Sequence, residues 1–395
     1  MDMEANQKRN LICNISAFNV FREILSKAPM AALLKLLKCD DGISEKFNLY
    51  GEFVASLAEY NNSFSEFLKK AVCESENRYI VLKSQGKEIP ASLEENCKRE
   101  LSILSELTRL DEKDFFDFSL DIYLPQFDNS YIDFNEMYSK RASCVSSYGY
   151  GIFATSKMFR VSNGEIYPID FSDDISLDDF VGYEDERRRV YDNIEALTQG
   201  RPALNTLLCG DAGTGKSSTV KACANHFFDS GVRLIELRKD QLFDLPYIMS
   251  RIEGNPLKFI IFIDDLSFNK NDDCFSMLKA VLEGSATGKA SNAVIVATSN
   301  RRHIVKESFA ERQGTDDVHR ADTMQELMSL SDRFGLVVYF SKPNKALYLE
   351  IVHQLAQKAD LNIPSDELDI KAEAFALSKG SRSPRAAEQF INSLI

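Results

Sequence analysis

A glycine-rich segment at residues 205–218 has the residue types and the spacing that hold phosphate groups. It reads NTLLCGDAGTGKSS, in which Gly210 is followed after four residues by Gly215, Lys216 and Ser217. Glycines let backbone N–H groups curl around phosphate oxygens, and the N-terminus of a following helix attracts anions. In this pattern the lysine meets the β and γ phosphates and the serine holds Mg²⁺. We therefore predict that the chain binds a nucleoside triphosphate together with Mg²⁺.

The residues on either side of this loop have the patterns of a strand and a helix. Residues 204–209 are mostly apolar, and after Lys216 apolar side chains recur at the three and four spacing of one helix face. A solvated glycine-rich turn is the alternative, but a strand before the loop and a helix after it favour phosphate binding. The predicted phosphate-binding residues are Gly210, Asp211, Ala212, Gly213, Thr214, Gly215, Lys216, Ser217 and Ser218.

Polar side chains follow two further apolar runs. Asp264 and Asp265 come directly after the run at 259–263, and Asn300 follows the run at 293–297. A continuous apolar run is typical of a buried parallel strand, whose carboxyl end lies at the ligand edge of the sheet. We expect Asp264 to bind Mg²⁺ and Asp265 to orient and deprotonate the attacking water. Asn300 is expected to position that water, although solvated acids and a turn asparagine are the alternatives.

Composition excludes several classes of protein. A length of 395 residues with 44% hydrophobic content indicates globular domains with real cores. The net charge of −13 disfavours nucleic acid as a partner, although a local basic patch is compatible with it. The eight cysteines contain no C-x-x-C pair that would indicate a zinc or redox site. No signal peptide or membrane-length apolar run is visible, so we expect a cytoplasmic protein without a membrane partner.

The hydrophobic pattern changes along the chain. From about residue 15 to 110 apolar residues recur at helical spacing, and we expect them to form the core of a bundle rather than a docking stripe. Residues 111–150 are predicted as a connector, and Asn163-Gly164 predicts a tight hairpin. Beyond it strands and helices alternate, which predicts a doubly wound parallel sheet followed by terminal helices. The predicted strands of that sheet are 204–209, 232–237, 258–264, 292–298 and 335–340.

Together these motifs resemble those of the AAA+ ATPases. Four segments are similar to a bacterial AAA+ family described as domain of unknown function 815, from about residue 149 to residue 395. They are FIDDLSF at 262–268, LKAVLEG at 278–284, ATSNRRH at 297–303 and SLSDRFG at 329–335. The family has no settled biological role, so the resemblance implies a nucleotide cycle rather than a pathway. It covers none of residues 1–148.

The resemblance implies roles for further residues. Val181, Gly182 and Tyr183 match the segment that lies against the adenine, and Asp264 with Asp265 matches the Walker B pair. Asn300 matches the polar sensor, and Arg333 matches the arginine finger that reaches a neighbouring subunit's nucleotide. A surface arginine at a helix C-terminus is the alternative for Arg333.

Arg385 matches the second sensor of the AAA+ lid, which touches the γ-phosphate. Ser383 and Pro384 have the pattern of a helix cap followed by a first-turn proline, which predicts that Arg385 lies at a helix N-terminus. A cation is electrostatically disfavoured there unless an anion is nearby. We therefore expect Arg385 to serve a bound phosphate.

The resemblance also implies an α/β fold divided into four segments. We expect a helical, partner-binding domain at 1–148, a β-hairpin and linker at 149–172, an AAA+ core with a five-stranded parallel sheet at 173–343, and a helical lid at 344–395. The implied activity is Mg²⁺-dependent ATP hydrolysis by an ATP-dependent homo-oligomer that remodels or loads a macromolecule. A DNA-associated loader or initiator-type ATPase and a slow nucleotide-binding switch stay open as alternatives.

Two departures from the superfamily pattern bear on this activity. Most AAA+ proteins carry Glu where this chain has Asp265, and the shorter side chain favours slow turnover. Threading machines expose an aromatic residue next to a glycine after the second core strand. Phe243 has no flanking glycine and lies in a segment with the pattern of a helix start. Substrate threading is therefore not predicted.

Overall fold

The computed structural model describes residues 5–39, 42–116, 123–169, 175–266, 273–283, 291–300 and 333–395. The chain divides into two compact units, Met1–Thr155 and Ser156–Ile395. Among the described residues no helix has both the length and the apolar character needed to cross a membrane.

The first unit is helical. Its α-helices are α1 (Ala5–Ser16), α2 (Ala28–Lys38), α3 (Ile43–Ala55), α4 (Phe64–Cys73), α5 (Arg78–Ser84), α6 (Ala91–Leu107), α7 (Phe134–Ser143) and α8 (Val145–Tyr148). The apolar stripes predicted from the sequence, for example at Phe21, Tyr50 and Leu104, are buried in one cluster. They form the core of the unit itself, as predicted.

The segment predicted as a connector contributes to this same core. Phe115, Phe116, Phe134 and Tyr138 are buried among the earlier helices, so residues 111–150 are part of the helical unit. Burial explains these four aromatic side chains, which bring a large apolar area into the core, whereas Tyr123 and Tyr131 are exposed.

Within its described residues, the second unit contains one mixed sheet of seven strands in the order β2-β1-β4-β5-β6-β3-β7. Its strands are β1 (Met158–Ser162), β2 (Glu165–Pro168), β3 (Thr206–Gly210), β4 (Val232–Leu237), β5 (Lys258–Ile263), β6 (Ala293–Ser299) and β7 (Leu336–Phe340). Neighbouring strands are parallel except for the β1/β2 hairpin. The five predicted strands β3 to β7 all form, and the hairpin adds two more.

Helices surround this sheet and follow it. They are α9 (Glu184–Thr198), α10 (Lys216–His226), α11 (Leu245–Ile252), α12 (Asp273–Leu282), α13 (Lys345–Lys358), α14 (Ser365–Lys379) and α15 (Pro384–Asn392). The last three have a hydrophobic core of their own, which includes Tyr348, Ala372 and Phe390. The predicted fold class is confirmed in its architecture, an α/β unit built on a largely parallel sheet, with a helical region before it and helices after it.

The hairpin changes the position of the boundary between the units. Asn163 and Gly164 both have positive φ, 50° and 77°, the backbone of a type I′ turn, which matches the twist of the two strands. Strand β1 then pairs in parallel with β4, for example Phe159 with Ile235. The sequence pattern predicts a separate hairpin and linker at 149–172, whereas the chain divides after Thr155 and the pairing of β1 with β4 makes the hairpin part of the sheet.

Strand order determines which chain segments meet at the carboxyl edge of the sheet. Strand β6 lies between β3 and β5, so the ends of these three strands are neighbours. The glycine-rich loop follows β3, the two aspartates follow β5, and Asn300 follows β6. The fold therefore brings together the polar groups that the sequence spreads over about ninety positions.

Candidate nucleotide-binding site

The loop between β3 and α10 requires glycine at several positions. Gly213 and Gly215 have φ of 76° and 89°, a left-handed region that side chains with a Cβ disfavour. A Cβ at Gly213 would lie 3.1 Å from Ser383 Oγ and 3.2 Å from Arg385 Cβ. A Cβ at Gly210 would collide with the backbone carbonyl of Phe340. The loop is thus a narrow backbone turn that lies against the start of α15.

Lys216 begins α10 and is buried, with 5% of its surface exposed. Its Nζ donates to the carbonyl oxygens of Gly210 (3.0 Å) and Asp211 (2.7 Å) and to Asn300 Oδ1 (2.9 Å). Burial lowers the pKa of Lys216, and the charge of Asp211 opposes this shift. The lysine is therefore a partly desolvated cation inside the loop, where an anionic ligand would offset the cost of its burial.

Ser217 and Asp264 form a pair of oxygen ligands beside this lysine. Ser217 Oγ donates to Asp264 Oδ1 at 2.6 Å. The same carboxylate oxygen accepts hydrogen bonds from Thr298 Oγ1 (2.6 Å) and from the backbone N–H of Asp265 (3.1 Å). A hydroxyl and a carboxylate are hard oxygen donors, and Mg²⁺ in nucleotide sites binds one or two protein oxygens together with phosphates and water. The donor set at this edge of the sheet fits Mg²⁺.

Asp265 and Asn300 lie next to this pair. Asp265 has φ of 51°, a left-handed conformation that Asp tolerates better than most residues. Asn300 Nδ2 donates to Asp265 Oδ1 at 2.9 Å, while Asn300 Oδ1 accepts from Lys216. Because an ammonium only donates and a carboxylate only accepts, the orientation of the Asn300 amide is fixed. A chain of hydrogen bonds thus joins the cation of the loop to the carboxylate predicted as the base.

Arg385 lies at the helix start that the sequence predicts. Ser383 caps α15 by accepting from the N–H of Ala386 at 3.2 Å, and Pro384 is the first residue of the helix. The backbone N–H of Arg385 donates to the carbonyl of Gly213 at 3.3 Å. The segment before α15 is held by Arg382, whose guanidinium donates to both carboxylate oxygens of Glu373 at 2.9 and 2.8 Å. The exposed side chain of Arg385 therefore begins directly beside the loop.

A pocket opens between the loop and the helices that follow the sheet. Gly213, Thr214, Gly215 and Ser218 of the loop segment contribute to its wall. The remaining wall is formed by Asp179, Phe180, Val181, Tyr183, Arg187, Ile351, Leu355, Pro384, Arg385 and Glu388. Two of the three residues predicted to contact adenine, Val181 and Tyr183, thus line the same pocket as the loop. A mixed apolar and cationic wall is suited to a nucleotide.

Tyr183 is more deeply buried than a ring that is exposed for stacking on adenine would be. It is 6% exposed, its hydroxyl donates to the carbonyl of Ser341 at 2.6 Å, and its ring lies 5.5 Å from that of Phe340. Its hydroxyl pKa is raised, chiefly by burial. Gly182 is packed so closely that an added Cβ would approach Leu347 Cδ1 to 2.8 Å. These two residues fix the wall of the pocket against α13.

Sequence reasoning missed three charged residues of the pocket, Asp179 and the helical residues Arg187 and Glu388. The guanidinium of Arg187 lies 5.5 Å from the ring centroid of Phe180, and burial lowers its pKa. Partial burial of the Glu388 carboxyl raises its pKa, while the charge of Arg385 opposes that shift. Helical position alone gives no signal for either, because charged residues on a helix are usually solvated.

Arg333 forms an ion pair with a residue that does not line the pocket described above. Its guanidinium pairs with Glu283, just after α12, with Nε and Oε1 2.5 Å apart. Among the described residues that line the pocket, Arg333 is absent. The sequence neighbour Asp332 lies outside the described residues.

The family model described as "Protein of unknown function (DUF815)" matches residues 154–395. This range contains the loop, both aspartates, Asn300 and the lid arginine. A search of curated proteins finds no match.

Solved structures of RuvB from Thermotoga maritima are similar to part of this chain. A point variant of that protein aligns with a TM-score of 0.37 and 18% identity, covering 55% of this chain and 63% of that chain. The structure described as the Thermotoga maritima RuvB Holliday junction branch migration motor aligns with a TM-score of 0.34 and 15% identity, covering 56% of this chain and 72% of that chain. The chain therefore spans less than two thirds of the length of the first of these structures.

Proposed function

We propose that this chain, which belongs to the DUF815 family, is a Mg²⁺-dependent ATPase that works as an oligomer. One observation carries the proposal. A single hydrogen-bonded cluster at the carboxyl edge of the sheet joins Lys216, Ser217, Asp264, Asp265 and Asn300. Such a cluster combines a cation for phosphate, oxygen ligands for a divalent cation and a carboxylate for water.

Binding is assigned to the loop and to the pocket beside it. The backbone N–H groups of residues 210–215 and the N-terminus of α10 favour a phosphate chain, and Lys216 adds the charge that phosphate oxygens require. Ser217 and Asp264 would hold Mg²⁺, which when bound neutralises phosphate charge. Val181, Tyr183 and Ile351 line the wall of the same pocket and offer apolar surface for a base.

Hydrolysis is assigned to Asp265 and Asn300. The Asp265 carboxylate accepts a proton from the attacking water, and the Asn300 amide orients that water. Arg385, beside Gly213, stabilises negative charge that develops on the transferred phosphoryl group. Each group lies at the strand or helix end that faces the loop.

A slow nucleotide switch is the second candidate, and one observation favours it. Asn300 already donates to Asp265 and accepts from Lys216, so these bonds must exchange before the amide and the carboxylate can act on water. Comparing a single turnover with steady-state turnover separates the two candidates. A slow single turnover that matches the steady-state rate indicates a switch, whereas a fast single turnover indicates an ATPase whose chemical step is rapid.

We propose further that Arg333 acts at the site of a neighbouring subunit and that the helical first unit binds the macromolecule on which the ATPase acts. The resemblance to AAA+ proteins motivates the first assignment, and the absence of Arg333 from the described wall of its own pocket is compatible with it. The assignment to the first unit rests on the division of the chain into two compact units, of which only the second holds the loop.

Replacing Lys216 tests the nucleotide site. We expect Lys216→Ala to abolish ATP binding in a titration and phosphate release in a turnover assay, because it removes the buried cation of the loop. Lys221→Ala is the matched control, since Lys221 lies on the same helix in an ion pair with Glu236 at 3.8 Å. Circular dichroism checks that both variants fold. Unaltered ATP affinity and rate in folded Lys216→Ala would refute the site.

A further inference from the structure

We propose that Thr298 is a positioning residue that gives Asp264 and Asp265 their separate tasks. The inference rests on the proposed ATPase function and concerns a residue to which the sequence motifs assign no role. The Thr298 hydroxyl donates to Asp264 Oδ1 at 2.6 Å and accepts from the backbone N–H of Asp265 at 2.9 Å. One buried hydroxyl therefore holds the carboxylate of the first aspartate and the backbone of the second.

Strand register explains why Thr298 is in this place. Ile263, the last residue of β5, pairs with Ala297 of β6, so Thr298 lies beside the first residue beyond β5. Thr298 is 2% exposed, and its backbone carbonyl accepts from the N–H of Leu266 at 2.7 Å. Three hydrogen bonds thus connect this one residue to the segment 264–266.

The segment needs such support because Asp265 is in the left-handed region, with φ of 51°. This conformation costs about 1–2 kcal/mol for most L-residues, and less for Asp. The bond from its N–H to Thr298 favours the turn that directs the Asp265 carboxylate toward Asn300. An ordinary extended continuation of β5 would instead alternate the side chains across the sheet.

The hydroxyl also controls Asp264. Oδ1 of Asp264 accepts from Ser217 and from Thr298, both at 2.6 Å, on the side where the proposed metal ligands converge. Thr298 therefore fixes the rotation of this carboxylate against the serine. A hydroxyl can donate and accept at once, a property that serine shares and valine lacks.

The test compares Thr298→Val with Thr298→Ser. We expect the valine variant to lose about tenfold or more in kcat and to need a higher Mg²⁺ concentration for tight ATP binding, because one hydrogen bond to the Asp264 carboxylate and one from the Asp265 backbone N–H are lost. Hydrogen exchange of the Asp265 amide should also become faster in the nucleotide-free protein. The serine variant should stay near wild type in all three readouts.

Thr206→Val is the matched control for the loss of a buried hydroxyl. Thr206 is 1% exposed at the start of β3 and donates to the carbonyl of Leu204, away from the aspartates. It should change stability without changing Mg²⁺ dependence.

Wild-type kcat, Mg²⁺ dependence and amide exchange in Thr298→Val, or equal losses in the serine variant, would overturn the positioning role. Asp265→Asn separates this outcome from failure of the proposed function. Slow turnover of Asp265→Asn beside a normal Thr298→Val overturns only the role of Thr298, whereas normal turnover of Asp265→Asn overturns the assignment of the base itself.

Discussion

The side-chain amide of Asn300 links Lys216 of the loop to Asp265, the proposed base, through two hydrogen bonds. Its oxygen accepts from Lys216 and its nitrogen donates to Asp265, so a phosphate that attracts the lysine competes directly with Asn300. Arrival of the triphosphate would release the amide oxygen, and the amide could then bind water. This competition couples occupancy of the site to formation of its hydrolytic arrangement.

Replacing Tyr183 tests whether its hydroxyl contacts the adenine of the nucleotide or only supports the pocket wall. Because its hydroxyl donates to Ser341 inside the protein, we expect Tyr183→Phe to keep ATP affinity and to lower stability by about 1 kcal/mol, the usual net worth of one hydrogen bond. Competition binding and urea unfolding measure the two effects. Tyr339→Phe, on the exposed face of β7, is the control. Lost ATP affinity at unchanged stability would instead indicate that the Tyr183 hydroxyl meets the nucleotide.

Single residues differ in how far sequence predicts them. The glycines, Lys216 and Ser217 follow from local spacing, because the loop is continuous in the chain. Thr298 carries no local signal, since a threonine in a buried strand is common and its hydroxyl finds Asp264 only through the register of β5 with β6. The same holds for Glu283, whose partner Arg333 is distant in sequence.

At the scale of secondary structure, the start of α15 combines a helix cap with an unfavourable charge. Ser383 satisfies an N-terminal N–H group, whereas the positive end of the helix disfavours Arg385, and the carboxylate of Glu388 one turn later offsets part of this cost. We therefore expect a bound anion to stabilise this helix start.

Arg385→Ala should separate binding from stability. We expect ATP affinity to fall about tenfold or more, because a charged hydrogen bond to phosphate is lost. The stability of the nucleotide-free protein should change by less than about 0.5 kcal/mol, since the helix dipole and Glu388 act in opposite directions. Titration with ATP and thermal unfolding measure the two quantities.

Arg382→Ala is the control on the same segment. Its guanidinium is bound to Glu373, so its loss should loosen the lid and lower the melting temperature. An Arg385→Ala variant that melts earlier and binds ATP normally would contradict the assignment and make Arg385 a structural residue.

Elements were predicted well where their pattern is local and poorly where it depends on distant partners. Strands β4 to β7 begin and end within one residue of the predicted runs. The hairpin turn at Asn163-Gly164 was also predicted, but the pairing of β1 with β4 was not, because no local feature names a strand's neighbour. The segment 111–150 was assigned to a connector because the burial of aromatic residues such as Phe115 and Tyr138 depends on the helices before them.

In the whole molecule, the proposed role of Arg333 requires a second subunit. The loop, both aspartates, Asn300 and Arg385 are collected within the second unit, but the proposed finger Arg333 is held by Glu283. If Arg333 completes the site of a neighbour, this ion pair must open when subunits assemble. Glu283→Gln should therefore leave Arg333 able to act, whereas Arg333→Ala should not.

Mixing two inactive variants tests whether ATP is hydrolysed at sites shared between subunits. Arg333→Ala and Lys216→Ala should each be nearly silent alone, and Glu283→Gln should retain turnover. A mixture of the two silent proteins should regain phosphate release, since some interfaces combine an intact loop with an intact finger. A finger acting between subunits contributes about a thousandfold or more in related phosphoryl-transfer systems, so sparse mixed sites would be measurable. Wild-type turnover by a monomeric Arg333→Ala protein would contradict the shared site.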